Sequence, residues 1–600
     1  MSTNSHIRTF GAPVRSVNWV RVFPTRDADG NDCLVAVMGQ QAENLFVLKI
    51  DPVTGVCKQF NAQVDESNYP TAAMRSRDGT IYIGAAHSGH LFAFDPASDV
   101  LEDLGAINLP DDIFPCQIDE DESGKLWIGC YGSAGLTSYD PPSRTFMHHG
   151  RMDDTDMYCY PLVAPDGTVA CDIKVTVPHV AVYDPSTGRR ETVGPVISKE
   201  DGGRCSLLRA IDGFLYMDTS EGHFRLDGFE AVPVDELPEV ISALTLSDGT
   251  SPVFTDAAVQ RYQTIGLVTQ DGETVRELNL NYAAAGSSLF LLHDGPDNKL
   301  YGSSILPLHL FEFEPYSGNM EDLGQCSTST GEVYSMGNLD GKLYMCSYPG
   351  AKLSVYDPAM PYQFGTEAGS NPRDLGRMDE VSYRPRSMVT GPLGRIWTAA
   401  VPDYGIWGGP LSWYEPATGT FGTYRDIAGD ASCWSLAWLE DRELMAVGTT
   451  IQGGSGTQPR VSQASLFLWD YVHERKTWEG TPDRSVTSIN ALVSGSDGLL
   501  YGTYSGLDDA TGLFRFNPET TAFEAYTALP AGQPLEGGLR SGPDGVIYGF
   551  TRSSLYRLDP ESLEITVICQ AEDTFHVPGP IREGNAYFTK VHEICSVSLD

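Results

Sequence analysis

The sequence predicts an all-β chain of tandem β-propellers, about thirteen four-stranded antiparallel blades divided seven plus six. Two observations carry this. The stretch from Thr71 to Pro96, TAAMRSRDGTIYIGAAHSGHLFAFDP, holds an apolar run, an Asp-Gly turn, the strand TIYIG, a small loop, the strand HLFAF and an Asp-Pro stop. Asp-Gly favours the turn joining antiparallel strands, alternating Ile, Tyr and Phe suit a pleated strand, and proline cannot donate to a ladder. The stop then recurs at Asp51-Pro52, Asp95-Pro96, Asp140-Pro141 and Asp184-Pro185, in steps of 44, 45 and 44 residues. A four-stranded repeat of about 40 to 45 residues buries both faces only when copies stack around an axis.

Degenerate stops follow at Asp227-Gly228 and Asp271-Gly272, and clearer ones run from Glu314-Pro315 to Asp559-Pro560. Thirteen repeats exceed one ring, since propellers carry about 4 to 8 blades. The expected division is 1–328 and 329–600, with the joint at Ser327 to Gly331; the other position for it is near 284, in Ala283 to Gly286. The N-terminal strand HIRTFG has no blade of its own and reads as the outer strand of whichever blade closes a ring. Pairing with the last blade would put both termini in one propeller and make the other an insertion.

With 80 acidic and 40 basic residues the net charge is −40. That field repels nucleic acid and anionic membranes, so neither is an expected partner, and an anionic ligand needs a local basic pocket. The N-terminus lacks a basic segment followed by an apolar one, and no apolar run is long enough to span a bilayer. The expected location is cytoplasmic, unless a leader has been cut away. The 12 cysteines show no CxxC or zinc spacing and read as buried free thiols of a reducing compartment. The DADGND run at Asp27 to Asp32 lacks the downstream glutamate of a calcium loop and reads as a turn.

Candidate chemistry follows from position. Loops between second and third strands, and the starts of first strands, open on one face of a propeller. Two of these loops are long: AVPDYGIWGGP at 400–410 and TTIQGGSGTQPRVSQAS at 449–465. The mouths so defined are rich in Tyr, His, Arg and Lys and poor in carboxylates. Glycoside hydrolysis needs two carboxylates, and only Glu332, Asp403, Asp112 and Asp156 present themselves. β-Elimination beside a uronate needs a cation on the substrate carboxylate and a Tyr or His to exchange protons. Tyr383, Arg384 and Arg386 supply both on one segment, with Lys352 and His576 as further candidates. Trp407, Tyr404, Trp434, Tyr348, Tyr158, Tyr160 and Arg204 are the candidate substrate contacts. His87, His90 and His179 are a weak candidate set for a divalent metal; otherwise no cofactor is expected.

DGTIYIG, SGKLWIG and DGKLYM, followed by YDP or FDP, resemble the propeller repeats of streptogramin B lyase and of the sensor propellers of two-component regulators. The Tyr/His/Arg-rich mouth more loosely resembles propeller polysaccharide lyases. That second resemblance implies an acid or base among Tyr383, Tyr158, Tyr160 and His179, beside Arg384, Arg386 or Arg204. The expected function is thus a lyase acting on a uronate-containing glycan. The alternatives are a non-catalytic glycan- or protein-binding propeller and a hydrolase using Glu332 and Asp403.

Overall fold

A computed structural model of the chain describes residues 7–107, 114–240 and 244–599. The fold is all-β, 55% strand and 2% helix, built largely of four-stranded antiparallel sheets. It divides into two compact units, residues 16–285, and residues 1–15 together with 286–600. Both chain ends lie in the second: Arg8–Gly11 pairs with Glu593–Ser598, Arg8 opposite Ser596, at the edge of a sheet completed by Asn585–Lys590 and Val577–Arg582. The strands on either side of position 328, Met320–Gln325 and Glu332–Leu339, belong to this same unit.

Within each group the strands pair in chain order, as in Ser67–Arg75, Ile81–His87, His90–Asp95 and Val100–Ala106. Two groups merge into an eight-stranded sheet where Tyr131 pairs with Tyr158. The repeat is most worn at Ser251–Phe254, Thr264–Val268 and Thr274–Asn279, a three-stranded sheet.

Acidic residues make the turns. Asp497 and Asp544 accept the amides of Leu499 and Val546, at 3.0 and 3.1 Å, and the hydroxyls of Tyr501 and Tyr548, at 2.6 and 2.9 Å. The Asp-Gly-x-x-Tyr spelling of the repeat therefore ties these turns to their second strands. At the Asp-Pro stops, Asp95 accepts the amide of Ala97 at 2.9 Å, and Asp559 those of Glu561 and Ser562 at 3.0 and 2.9 Å. The intervening proline has no N–H left to satisfy. Asp27 does the same in DADGND, accepting the amides of Asp29 and Asn31, both at 2.9 Å.

The glycine of YIG and WIG answers a packing need. A Cβ on Gly129 would lie 2.2 Å from the carbonyl oxygen of Cys159, and one on Gly84 would lie 2.7 Å from Pro115, both on the first strand of the next group. Neighbouring sheets touch at these points, so both faces of a second strand are covered. In Asp32–Gly39, Val35 and Val37 pack with Ile81, Ile83, Phe92 and Phe94, while Leu34, Ala36 and Met38 face Ile265, Leu267 and Leu278. The first group of residues 16–285 thus meets the last. The other unit closes likewise, Leu289, Leu300, Phe311 and Phe313 packing with Tyr587 and Ile594. Each fully buried Phe or Leu contributes about 1.5–3 kcal/mol, and stacking on both faces of most of the sheets makes the fold β-propeller-like.

The two long loops clasp each other. Gly405 N–H donates to Ser455 at 3.0 Å, Gly454 N–H to Ile406 at 2.8 Å, and Trp407 Nε1 to the Gln458 carbonyl at 2.8 Å. All twelve cysteines are free thiols, most of them buried.

Candidate functional site

In residues 286–600 the first strand of several groups carries a β-bulge. Pairing passes from Leu289 to Leu291, from Val333 to Ser335, from Arg384 to Ser387 and from Cys433 to Ser435, skipping Phe290, Tyr334, Pro385-Arg386 and Trp434. A bulge bends its strand and re-aims the extra side chain. Phe290, Tyr334 and Arg386 line one cavity of about 790 Å³, within the range of ligand pockets.

Arg386 lies between aromatic rings, 4.8 Å from the centroid of Tyr334 and 4.4 Å from that of Trp434. One terminal nitrogen donates to both carboxylate oxygens of Glu536, at 3.0 and 2.8 Å, while its Nε is buried without a partner. Arg384 sits in a tyrosine cage, 4.8 Å over Tyr348, 5.1 Å over Tyr404 and 5.9 Å over Tyr383. It donates to the Tyr404 hydroxyl at 3.1 Å, and that oxygen is 3.1 Å from the hydroxyl of Tyr348. Burial pushes Tyr383 up to about 12 and raises Tyr348 and Tyr334 as well, so all three are neutral hydroxyls near pH 7. Glu332 is 5% exposed, and burial pushes its carboxyl up to about 7 against the opposing pull of Tyr334, Arg384 and Arg386.

The same cavity contains Arg552, His576, Arg540, His293 and Asp294. Arg552 pairs with Asp573 at 2.5 Å. His576 donates Nε2–H to the Asp573 carbonyl at 3.2 Å, which leaves Nδ1 with its lone pair; burial and Arg552 hold the ring below its ordinary value. Arg540 donates to the carbonyls of Gly537, Leu539 and Pro578, the last two at 3.1 and 3.3 Å, and burial lowers it to about 10, still charged. Burial and Arg540 bring His293 down to about 4, so its imidazole is neutral.

The structure gathers only part of the predicted set. Tyr383, Arg384, Arg386, Tyr348, Tyr404 and Trp434 form one cluster, and His576 shares the cavity with Arg386. Lys352 is occupied elsewhere, its Nζ 2.8 Å from Thr328 Oγ1. Trp407 is fixed by the loop clasp, with the Arg460 guanidinium 3.5 Å from its ring centroid. Tyr158, Tyr160 and Arg204 belong to residues 16–285, where Tyr158 stacks on Tyr160 at 5.9 Å and Arg204 pairs with Asp218 at 3.1 Å. Asp156 accepts the amides of Val175, Thr176 and Val177 at 2.7–2.8 Å and holds a loop. Asp403 accepts the amide of Tyr404 at 2.7 Å. Asp112 lies outside the described residues.

The three histidines of the candidate metal set each meet other partners. Among the described residues no group of three or more His, Cys, Asp or Glu is placed to hold a metal ion. His87 meets Asn68 at 2.9 Å, and His179 meets the Val177 carbonyl at 2.7 Å and Asp153 at 3.4 Å. His90 bonds Asp103 at 2.8 Å as His309 bonds Asp322 at 3.0 Å. In each case that aspartate also accepts the amide of the glycine in an Asp-Leu-Gly bulge, at 2.9 Å. These histidines brace the fourth strand.

Sequence reasoning missed His293, Glu536, Arg540 and Arg552. The first three lie inside first strands or their bulges, which the rule of looking at loops and strand starts passes over.

No family model matches the chain, and no curated protein matches it. Among solved structures it is similar to the extracellular domain of BT4673 from B. thetaiotaomicron, described once as a one component and once as a hybrid two component system. Both comparisons give 12% identity and a TM-score of 0.37, covering 99% of this chain and 83% of that one.

Proposed function

We propose that residues 286–600 bind a carboxylate-bearing glycan in the mouth of their central cavity. The observation that carries this reading is that Arg386, Arg540 and Arg552 line one cavity of a chain whose net charge is −40. Clustered guanidiniums walled by Phe290 and Tyr334 suit an acidic sugar, the charge meeting the carboxylate and the rings its apolar face. In this reading each strand group is a propeller blade: thirteen in all, six in residues 16–285 and seven in the unit holding both termini.

Calorimetric titration with uronate oligosaccharides and their neutral counterparts tests it. Uronates should bind, more weakly as salt rises and more weakly in Arg386→Gln. Equal binding of neutral sugars, or no dependence on Arg386, sinks the reading.

A second reading, β-elimination, is favoured by His576, a neutral imidazole with a free Nδ1 in the cavity of Arg386 and Tyr334. The arginine holds the uronate carboxylate while His576 Nδ1 takes the proton from the adjacent carbon. The C–H electron pair becomes the new double bond, and the departing oxygen leaves with its bonding pair and takes the Tyr334 proton. Rising ultraviolet absorbance from an unsaturated product, lost in His576→Ala, tests it; binding without that rise leaves the first reading alone.

A further inference from the structure

The cavity has two basic stations at different depths. The second-strand motif fixes those depths: His293 pairs with Tyr301 ahead of Gly302, and Arg540 pairs with Tyr548 ahead of Gly549, so the two are level. Arg386 is level with Phe290, because Ser387 opposite Ala399 matches Leu291 opposite Ser303. Phe290 and His293 are three residues apart on one strand, a rise of about 10 Å.

At the deep station no carboxylate of the described residues lies within ion-pair distance of Arg540, and Asp294 acts on it only through its longer-range field. Arg540 has five N–H donors, and its three hydrogen bonds all go to backbone carbonyls, which leaves two donors without a protein partner among the described residues. The nearby carboxylate, Asp294, lies 3.8 Å from Arg582, whose pull on it exceeds that of Arg540. Glu536, the acid of the mouth, is engaged by Arg386. His293 beside Arg540 is neutral and offers a further N–H. A guanidinium facing a cavity with only carbonyls as hydrogen-bond partners keeps donors and charge available to a ligand.

The geometry points to a ligand with two anionic groups about 10 Å apart along the channel, one held at the mouth by Arg386 and the other by Arg540 with His293. Resting on the glycan reading above, this narrows the substrate class to an acidic oligosaccharide that enters the channel by its end and carries a second carboxylate or sulfate on a later sugar.

The test is calorimetry of the full chain with a size series of oligouronates, in wild type, Arg540→Gln and Arg540→Lys. Wild type should gain about tenfold in affinity at the length that brings a second carboxylate to the deep station, the step expected of one charge-assisted contact. Arg540→Gln should lose that gain while keeping the monouronate affinity, and Arg540→Lys should keep part of it, with thermal unfolding confirming that both variants fold. The same gain in Arg540→Gln overturns the inference. Should no uronate bind, the glycan reading fails, and inorganic sulfate then reads the deep station by itself. Saturable sulfate binding lost in Arg540→Gln sustains the station, and its absence overturns it.

Discussion

One guanidinium nitrogen of Arg386 holds both carboxylate oxygens of Glu536, at 3.0 and 2.8 Å, across 150 residues of sequence. The pair closes one side of the cavity mouth, and Glu536 is the acid a ligand must displace from Arg386. Glu536→Gln should therefore tighten uronate binding by about tenfold, the scale of one charged hydrogen bond. Arg386→Gln should weaken it by at least as much. Calorimetry at fixed ionic strength checks both.

Glu332 makes stability depend on pH in a defined direction. Its carboxyl titrates at about 7 in the fold against an ordinary 4.5, so between these values the unfolded chain gives up a proton that the folded chain retains. Its contribution is present in full below pH 4.5 and is lost as pH rises through 7. Glu332→Gln should gain on wild type by up to roughly 3 kcal/mol across that window, read from denaturant unfolding at several pH values. His293, lowered to about 4 from 6.5, acts oppositely, its contribution being lost as pH falls from 6.5 to 4. His293→Gln should flatten that acid limb.

The Tyr404 hydroxyl joins Arg384 to Tyr348. Tyr404→Phe keeps the ring stacked and removes only that oxygen. A loss of about 1 kcal/mol is expected, measured by thermal unfolding.

Gly129→Ala places a methyl 2.2 Å from the Cys159 carbonyl, backbone that cannot swing aside. The two strands must part, at a cost of about 1–3 kcal/mol. A lower unfolding midpoint is expected here, and little change in Gly369→Ala, where nothing stands within 4 Å and φ is not positive.

His90→Ala should cost about 1 kcal/mol by freeing Asp103. His90→Asn should restore part of it, and added zinc should leave the midpoint of all three proteins unchanged. A zinc-dependent rise confined to wild type would return His90 to the metal set.

The repeat was legible because each of its letters does local work. Asp-Pro caps a turn, Asp-Gly-x-x-Tyr ties a turn to its strand, and the glycine of YIG admits the neighbouring sheet. The cluster of Tyr348, Tyr383, Arg384, Arg386, Tyr404 and Trp434 was found by one rule, since strand starts and second-to-third loops share a face. That rule could not reach Arg540 or His293, whose place on the channel depends on bulge position and depth. It also gathered Tyr158, Tyr160 and Arg204, which match the cluster in type and in place within a repeat but belong to the other unit.

By itself, then, the sequence determined the sheet class, the repeat length, the turn chemistry and the kind of side chain offered at the strand starts, because these depend on residues near one another in the chain. Tertiary structure alone decided which repeats close on each other, that the first strand completes the last sheet, and that arginines far apart in sequence line one cavity. Those outcomes depend on which sheet faces stack. The alternating apolar pattern, common to every repeat, makes all faces nearly alike in sequence, and only closure of the chain distinguishes them.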